Sequence, residues 1–186
     1  MNHVGRRGWV FLGALLALSA LVGCDPVDPT DPDALDFVEL DDAVLYDCDG
    51  EEVSLLDWVK AHEVSYIGFA SGWCGACKEE VPVLNEELVA PNDPQKVGVA
   101  QILLEDENGE PATAALCAGW RDGFGANYTI LSDIDQVLLE PFFGGGPIEQ
   151  LPVHLIVTGD GLIRYQLAAN LPSDIAQRVT SWLPPE

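Results

Sequence analysis

The sequence predicts an α/β sandwich, a central mixed β-sheet flanked by helices and entered through an N-terminal β-hairpin. Three observations carry that reading. The apolar runs "VSYIGFA" (Val64–Ala70) and "KVGVAQILLE" (residues 96–105) have strand length and no polar face, as strands covered on both sides of a sheet do. Stretches with helical spacing of apolar residues follow them. Finally, "PVHLIVTGDGLIRYQ" holds two apolar runs around Gly159, Asp160 and Gly161, which is a hairpin signature.

The elements follow in order from residue 37. "AVLYDCDGEEVSLLDWV" reads as two short strands around Asp49 and Gly50, running into a short helix. The strand at Val64 comes next and leads directly into "SGWCGACKEEVP", after which Val81, Leu84 and Leu88 recur at helical spacing. Beyond the second buried strand, "PATAALCAGWRDG" is expected to be a helix opened by Pro111. "YTILSD" is expected to be a short edge-like strand, "IDQVLLEPFF" a helical turn or two, and "GGGPIEQ" a loop. After the hairpin, "SDIAQRVTSWL" closes the chain as an amphipathic helix capped by Ser173. No internal repeat is visible.

Size and composition bound the function. The 186 residues suffice for one domain with a sizeable core, and 48% hydrophobic content argues against disorder. With 31 acids against 8 bases and a formal charge of −23, the chain lacks the clustered Lys and Arg that nucleic acid requires. The surplus acid reads as a solubility device, with a docking surface for a basic partner as the alternative.

The N-terminus has the layout of an export leader: Arg6 and Arg7, an apolar run over residues 9–21, then small residues before Cys24. The run is short for a permanent span, which takes roughly 20 apolar residues. "LVGC" (Leu21, Val22, Gly23, Cys24) resembles the lipobox of bacterial lipoproteins, which implies cleavage before Cys24 and acylation of that cysteine. An ordinary leader with a chance cysteine and an uncleaved anchor are the alternatives. "CDPVDPTDPDALD" then reads as an extended, self-repelling tether. The expected organisation is therefore a lipoprotein signal peptide at 1–23, an acidic tether at 24–36 and one domain at 37–186. Asp25 is similar to the inner-membrane retention signal of some lipoproteins, and the paired arginines faintly suggest twin-arginine export.

Cys74 and Cys77, two residues apart behind Trp73, are open to three readings: metal ligands, a structural disulfide, or an exchanging dithiol. Zinc needs a second Cys or His pair at suitable spacing, and none follows. A buried strand running into W-C-x-x-C, with a later Leu-Pro opening a hairpin, resembles the thioredoxin fold. "WCGACKEEVP" is matched almost position by position in the membrane-anchored extracytoplasmic redoxins of the TlpA and ResA type. "DGEEVSLLDW" is similar to their opening hairpin and "LPVHLIVTGDGLI" to their cis-proline hairpin. The resemblance spans roughly residues 40–183.

That resemblance implies a thiol-disulfide oxidoreductase. Cys74 would be the exposed attacking thiol, its thiolate favoured by a helix N-terminus, and Cys77 would resolve the mixed disulfide. Trp73 would shield the pair, Pro82 would kink the helix, and Pro152 would be the cis-proline that presents Leu151 to a client segment. The best-known thioredoxins hold a buried Asp six residues before the first cysteine, where this chain has Gly68. Glu80 is the candidate to accept the Cys77 proton instead, with a solvated helix acid as the alternative. Lys78 either favours the thiolate or is solvated.

With Cys24 acylated and Cys74 joined to Cys77, Cys48 and Cys117 are left over. They form a structural disulfide, remain buried free thiols, or help relay electrons. His154, two residues past Pro152, is either a packed strand histidine or, with Cys74 and Cys77, part of a copper site in a metallochaperone-like assembly factor. His62 and His3 carry no signal. No organic cofactor is expected. The expected partners are exported proteins bearing disulfides or thiols and a membrane electron donor, met on the extracytoplasmic side of a bacterial membrane.

Overall fold

The computed structural model describes residues 38–185. The leader at 1–23 and the whole tether at 24–36, with Cys24, lie outside those residues. Val64–Ala70 forms the strand β4, in which all seven residues are buried. The same holds for β5, Val97–Leu103. Such strands belong at the centre of a sheet covered on both faces, and that is where they lie.

Eight strands make one mixed sheet. Besides β4 and β5 they are β1 (Val38–Glu39), β2 (Val44–Tyr46), β3 (Glu52–Ser54), β6 (Thr129–Ser132), β7 (Val153–Thr158) and β8 (Leu162–Ala168). Their order is β1-β8-β7-β4-β5-β6-β2-β3. β4, β5 and β6 run parallel, while β7 pairs antiparallel to β4 and β8 antiparallel to β7. The helices are α1 (Leu55–Lys60), α2 (Gly75–Leu84), α3 (Ala114–Phe124), α4 (Leu139–Phe143) and α5 (Ile175–Thr180). A π-helical turn, Asn85–Val89, continues α2.

Alternation along β4 divides the core. Ile67 and Phe69 join Leu45, Leu55, Val59, Leu155 and Val157 on one face. Val64 and Tyr66 join Leu84, Leu88, Ile156, Ile175 and Val179 on the other. A third cluster surrounds the cysteines, with Cys74, Cys77, Cys117, Val81, Leu103 and Trp120 packed together.

Three expectations are corrected, and one strand is added. "YTILSD" is no edge: β2 pairs with β6 through Tyr46 and Ser132, so the hairpin β2–β3 extends the sheet beyond it. Pro111 does not open α3, because it sits in a β-bridge opposite Glu105. Thr113 is the cap, its hydroxyl accepting the Leu116 N–H at 3.1 Å. Ser173 does not cap α5; Asp174 stands at the N-cap, and its carboxylate accepts from Arg178 Nε at 2.8 Å rather than from the helix. Lastly, β1 was not foreseen, two residues pairing with Ile163 and Leu162 of β8. Among the described residues, no helix is long and apolar enough to cross a membrane.

Candidate active site: a disulfide at a helix N-terminus

β4 ends at Ala70, and four residues later the chain enters α2 with Cys74 at its N-cap. The Cys74 backbone is extended, with φ −80° and ψ 100°, so its side chain turns back over the first turn of the helix. There the Cys77 N–H donates to Cys74 Sγ at 3.2 Å. Cys74 and Cys77 are joined by a disulfide, their Cα atoms 5.4 Å apart. An N–H aimed at a sulfur stabilises negative charge on it, and the helix dipole adds to that.

Cys74 is less open than the sequence implied. It is only 4% exposed, because its sulfur is turned onto Cys77 and its side chain packs in the cysteine cluster; Cys77 is fully enclosed. Trp73 is 40% exposed beside the pair, and its indole N–H donates to Glu105 Oε2 at 2.7 Å. Pro152 follows a cis peptide bond from Leu151, and Leu151 packs against the cysteine cluster. Lys78 turns away toward α3, its Nζ 5.9 Å from the centre of the Phe124 ring.

Glu80, one turn beyond Cys77, is not a solvated helix acid: it is 6% exposed. Its Oε1 accepts the Leu171 N–H at 3.0 Å, and its Oε2 is buried with no hydrogen-bond partner among the described residues. Burial pushes the carboxyl up to about 7, against the pull of the Leu171 N–H. His154 Nε2 stands 3.7 Å from Glu80 Oε1. Burial holds the imidazole below its usual range, so it is neutral at neutral pH, although its bond to Ala169 opposes the shift.

His154 is a packed strand histidine. Its Nδ1 meets the Tyr66 hydroxyl at 2.7 Å and its Nε2 the Ala169 carbonyl oxygen at 2.8 Å, so both ring nitrogens are engaged. Among the described residues, no three His, Cys, Asp or Glu side chains come together in a way that could hold a metal ion. The proposed copper set of Cys74, Cys77 and His154 is therefore not assembled.

Cys48, in the turn of the β2–β3 hairpin, is bonded to Cys117 on α3, their Cα atoms 4.9 Å apart. This pins the hairpin to the helix that flanks the dithiol.

Sequence reasoning missed a polar cluster beneath the site. Gln101 on β5 donates from Nε2 to the Cys77 carbonyl at 3.4 Å. Its Oε1 accepts from Trp120 Nε1 at 3.0 Å and from the Tyr128 hydroxyl at 2.8 Å. The available signal was Gln101 itself, a polar residue inside an apolar run. Such a residue finds partners or costs about 1–3 kcal/mol.

No protein-family model matches the chain, and no curated protein matches it. Solved structures do. The chain is similar to a thiol:disulfide interchange protein DsbE from Chlorobium tepidum, at 20% identity over 80% of this chain and 97% of that one, with a TM-score of 0.62. The fold is thioredoxin-like. The thioredoxin domain of a thiol-disulfide oxidoreductase from Bacteroides vulgatus gives a TM-score of 0.60 at 18% identity, covering 79% of this chain and 96% of the other. An exposed lipoprotein thioredoxin from Streptococcus pneumoniae gives 0.59 at 22% identity, covering 76% and 99%. Within this thioredoxin-like fold, the Cys74–Cys77 disulfide occupies the turn between β4 and α2.

Proposed function

We propose that this chain is a thiol-disulfide oxidoreductase of exported proteins, working through Cys74 and Cys77. The observation that carries the reading is the Cys74 sulfur at the N-cap of α2, receiving the Cys77 N–H. In the reduced protein the same N–H and helix N-terminus stabilise negative charge on the Cys74 sulfur and make it the attacking nucleophile. Cys74 displaces one sulfur of a client disulfide, which leaves as a thiolate, and forms a mixed disulfide. Cys77 gives up its proton, attacks Cys74 Sγ and expels the second client sulfur. The client gains two electrons and the domain is left oxidised. A membrane electron donor then restores the dithiol.

Glu80 is the group that takes the Cys77 proton, since a carboxyl poised near 7 is matched to that exchange at neutral pH. Trp73 and Pro152 line the approach to the sulfurs, and Leu151 offers its backbone to an extended client. The Cys48–Cys117 disulfide has a structural role. Residues 1–23 serve as a lipoprotein signal, Cys24 is the lipidated residue, and 24–36 tether the domain to the extracytoplasmic face of a membrane. The acidic, proline-rich composition of the tether and the lipobox-like "LVGC" support that placement.

Trapping tests the reading. Cys77→Ser in the exported protein should accumulate mixed disulfides through Cys74 that dithiothreitol releases, and Cys74→Ser should accumulate none. Equal trapping by both variants, or by neither, would refute the assignment of attacking and resolving sulfurs.

A further inference from the structure

Gly68 leaves an apparent gap beneath the dithiol, and the structure fills it from the side. β4 turns position 68 to the same face as Tyr66, and a Cβ there would stand 3.1 Å from the Tyr66 hydroxyl oxygen and 3.4 Å from Gln101 Cγ. Gly68 is also paired with His154 across the β4–β7 ladder. The Tyr66 phenol is fully enclosed and stays protonated, its titration driven well up by burial and then by the nearby Glu80 and Tyr128. It therefore donates to His154 Nδ1 at 2.7 Å, which leaves the ring proton on Nε2. That N–H donates to the Ala169 carbonyl at 2.8 Å and stands 3.7 Å from Glu80 Oε1. Glu80 in turn accepts from Leu171 N, two residues further along the same turn.

We propose that Tyr66 and His154 are positioning residues for Glu80: Tyr66, packed with Gln101 over the bare Gly68, holds the His154 ring, and His154 in turn fixes the 169–171 segment and holds an N–H edge toward the carboxylate. This orients Glu80 with one oxygen engaged and the other, Oε2, left for a proton. The use of that oxygen, taking the Cys77 proton as Cys77 attacks Cys74 Sγ, rests on the thiol-exchange reading; the orientation does not. The groups facing Glu80 are Tyr66 from β4, Tyr128 ahead of β6 and His154 from β7, while the segment after β8 supplies the Leu171 N–H and Cys77 stands three residues earlier on the same helix.

Three effects of removing the imidazole share one sign. The carboxylate loses a facing N–H, its surroundings become less polar, and the turn carrying the Leu171 N–H loosens; each disfavours ionisation. The test follows the Glu80 carboxyl carbon by NMR through a pH titration of the oxidised exported protein. In His154→Leu the midpoint should rise by about half a pH unit or more, roughly threefold less carboxylate at a given pH. His154→Gln, which keeps an N–H on a side chain of similar reach, should restore it. Tyr66→Phe should shift it in the same direction by less, and it decides the matter should His154→Leu not fold. A midpoint unchanged in folded variants overturns the proposal. The oxidised protein needs no client, so failure of the exchange reading shows separately, as loss of the Cys77→Ser trap with the titration shift intact.

Discussion

Replacing Cys48 and Cys117 with alanine should cost the domain about 4 kcal/mol of stability. The cross-link joins positions 69 apart in sequence, and the chain-entropy relation gives about 4.4 kcal/mol at 25 °C for a loop of that length. Cys117 is fully buried, so deleting its sulfur leaves a small void worth about 1 kcal/mol more if the surroundings do not collapse. Residual structure in the unfolded chain works the other way, so a loss of about 3–5 kcal/mol is expected. For a domain of this size that corresponds to roughly 6–20 °C in Tm. The assay is urea and thermal denaturation by circular dichroism, with the Cys74–Cys77 pair oxidised in both proteins. A loss below about 1 kcal/mol would refute the claim that this bond holds the β2–β3 hairpin to α3.

Other perturbations follow from single contacts. Gly72→Ala should destabilise by about 1–3 kcal/mol, because the added Cβ would stand 2.7 Å from the backbone of Asp106 and Glu107; denaturation measures the loss, and Trp73 fluorescence should report separation from Glu105. Trp120→Phe should cost about 2–3 kcal/mol by deleting the indole donor to Gln101 and part of a buried ring, read by urea denaturation. Glu80 gives the fold a pH dependence of known sign. Its folded value near 7 lies above the ordinary 4.5, so the folded protein holds the proton more tightly and stability falls as pH rises from about 4.5 through about 7. Glu80→Gln should remove about 2 kcal/mol of that decline between pH 5 and 8, measured as parallel denaturation series; an unchanged slope would place the carboxylate in solvent.

Much of the architecture was legible because it is written locally. β4 and β5 announce themselves as unbroken apolar runs, and the turn between β7 and β8 holds Gly161 at φ +86°, which only glycine adopts without cost. The Cys-x-x-Cys pair likewise needs only its own spacing. What escaped depends on partners far along the chain. β1 is two residues long and exists through β8, and β6 is internal only because β2, some eighty residues earlier, lies outside it. Pro111 and Ser173 both look like helix starts in sequence, yet the backbone bridge at Glu105 and the Asp174–Arg178 pair take precedence. Within the site, Tyr66 was hidden in an apolar run as one more large side chain. Its hydroxyl becomes visible only when the sheet sets it beside His154 and over the bare Gly68, two residues along the same strand.

The central claim is that Cys74 and Cys77 form a reversible dithiol in a fold that does not depend on their bond. A redox-buffer titration of the protein, read by thiol trapping and mass, tests it most directly. The account predicts one two-electron transition within the span of thiol-exchange proteins, roughly −270 to −120 mV, with Cys48–Cys117 still oxidised and the circular dichroism unchanged. A pair that resists reduction until the domain unfolds would make the bond a structural staple and contradict the account.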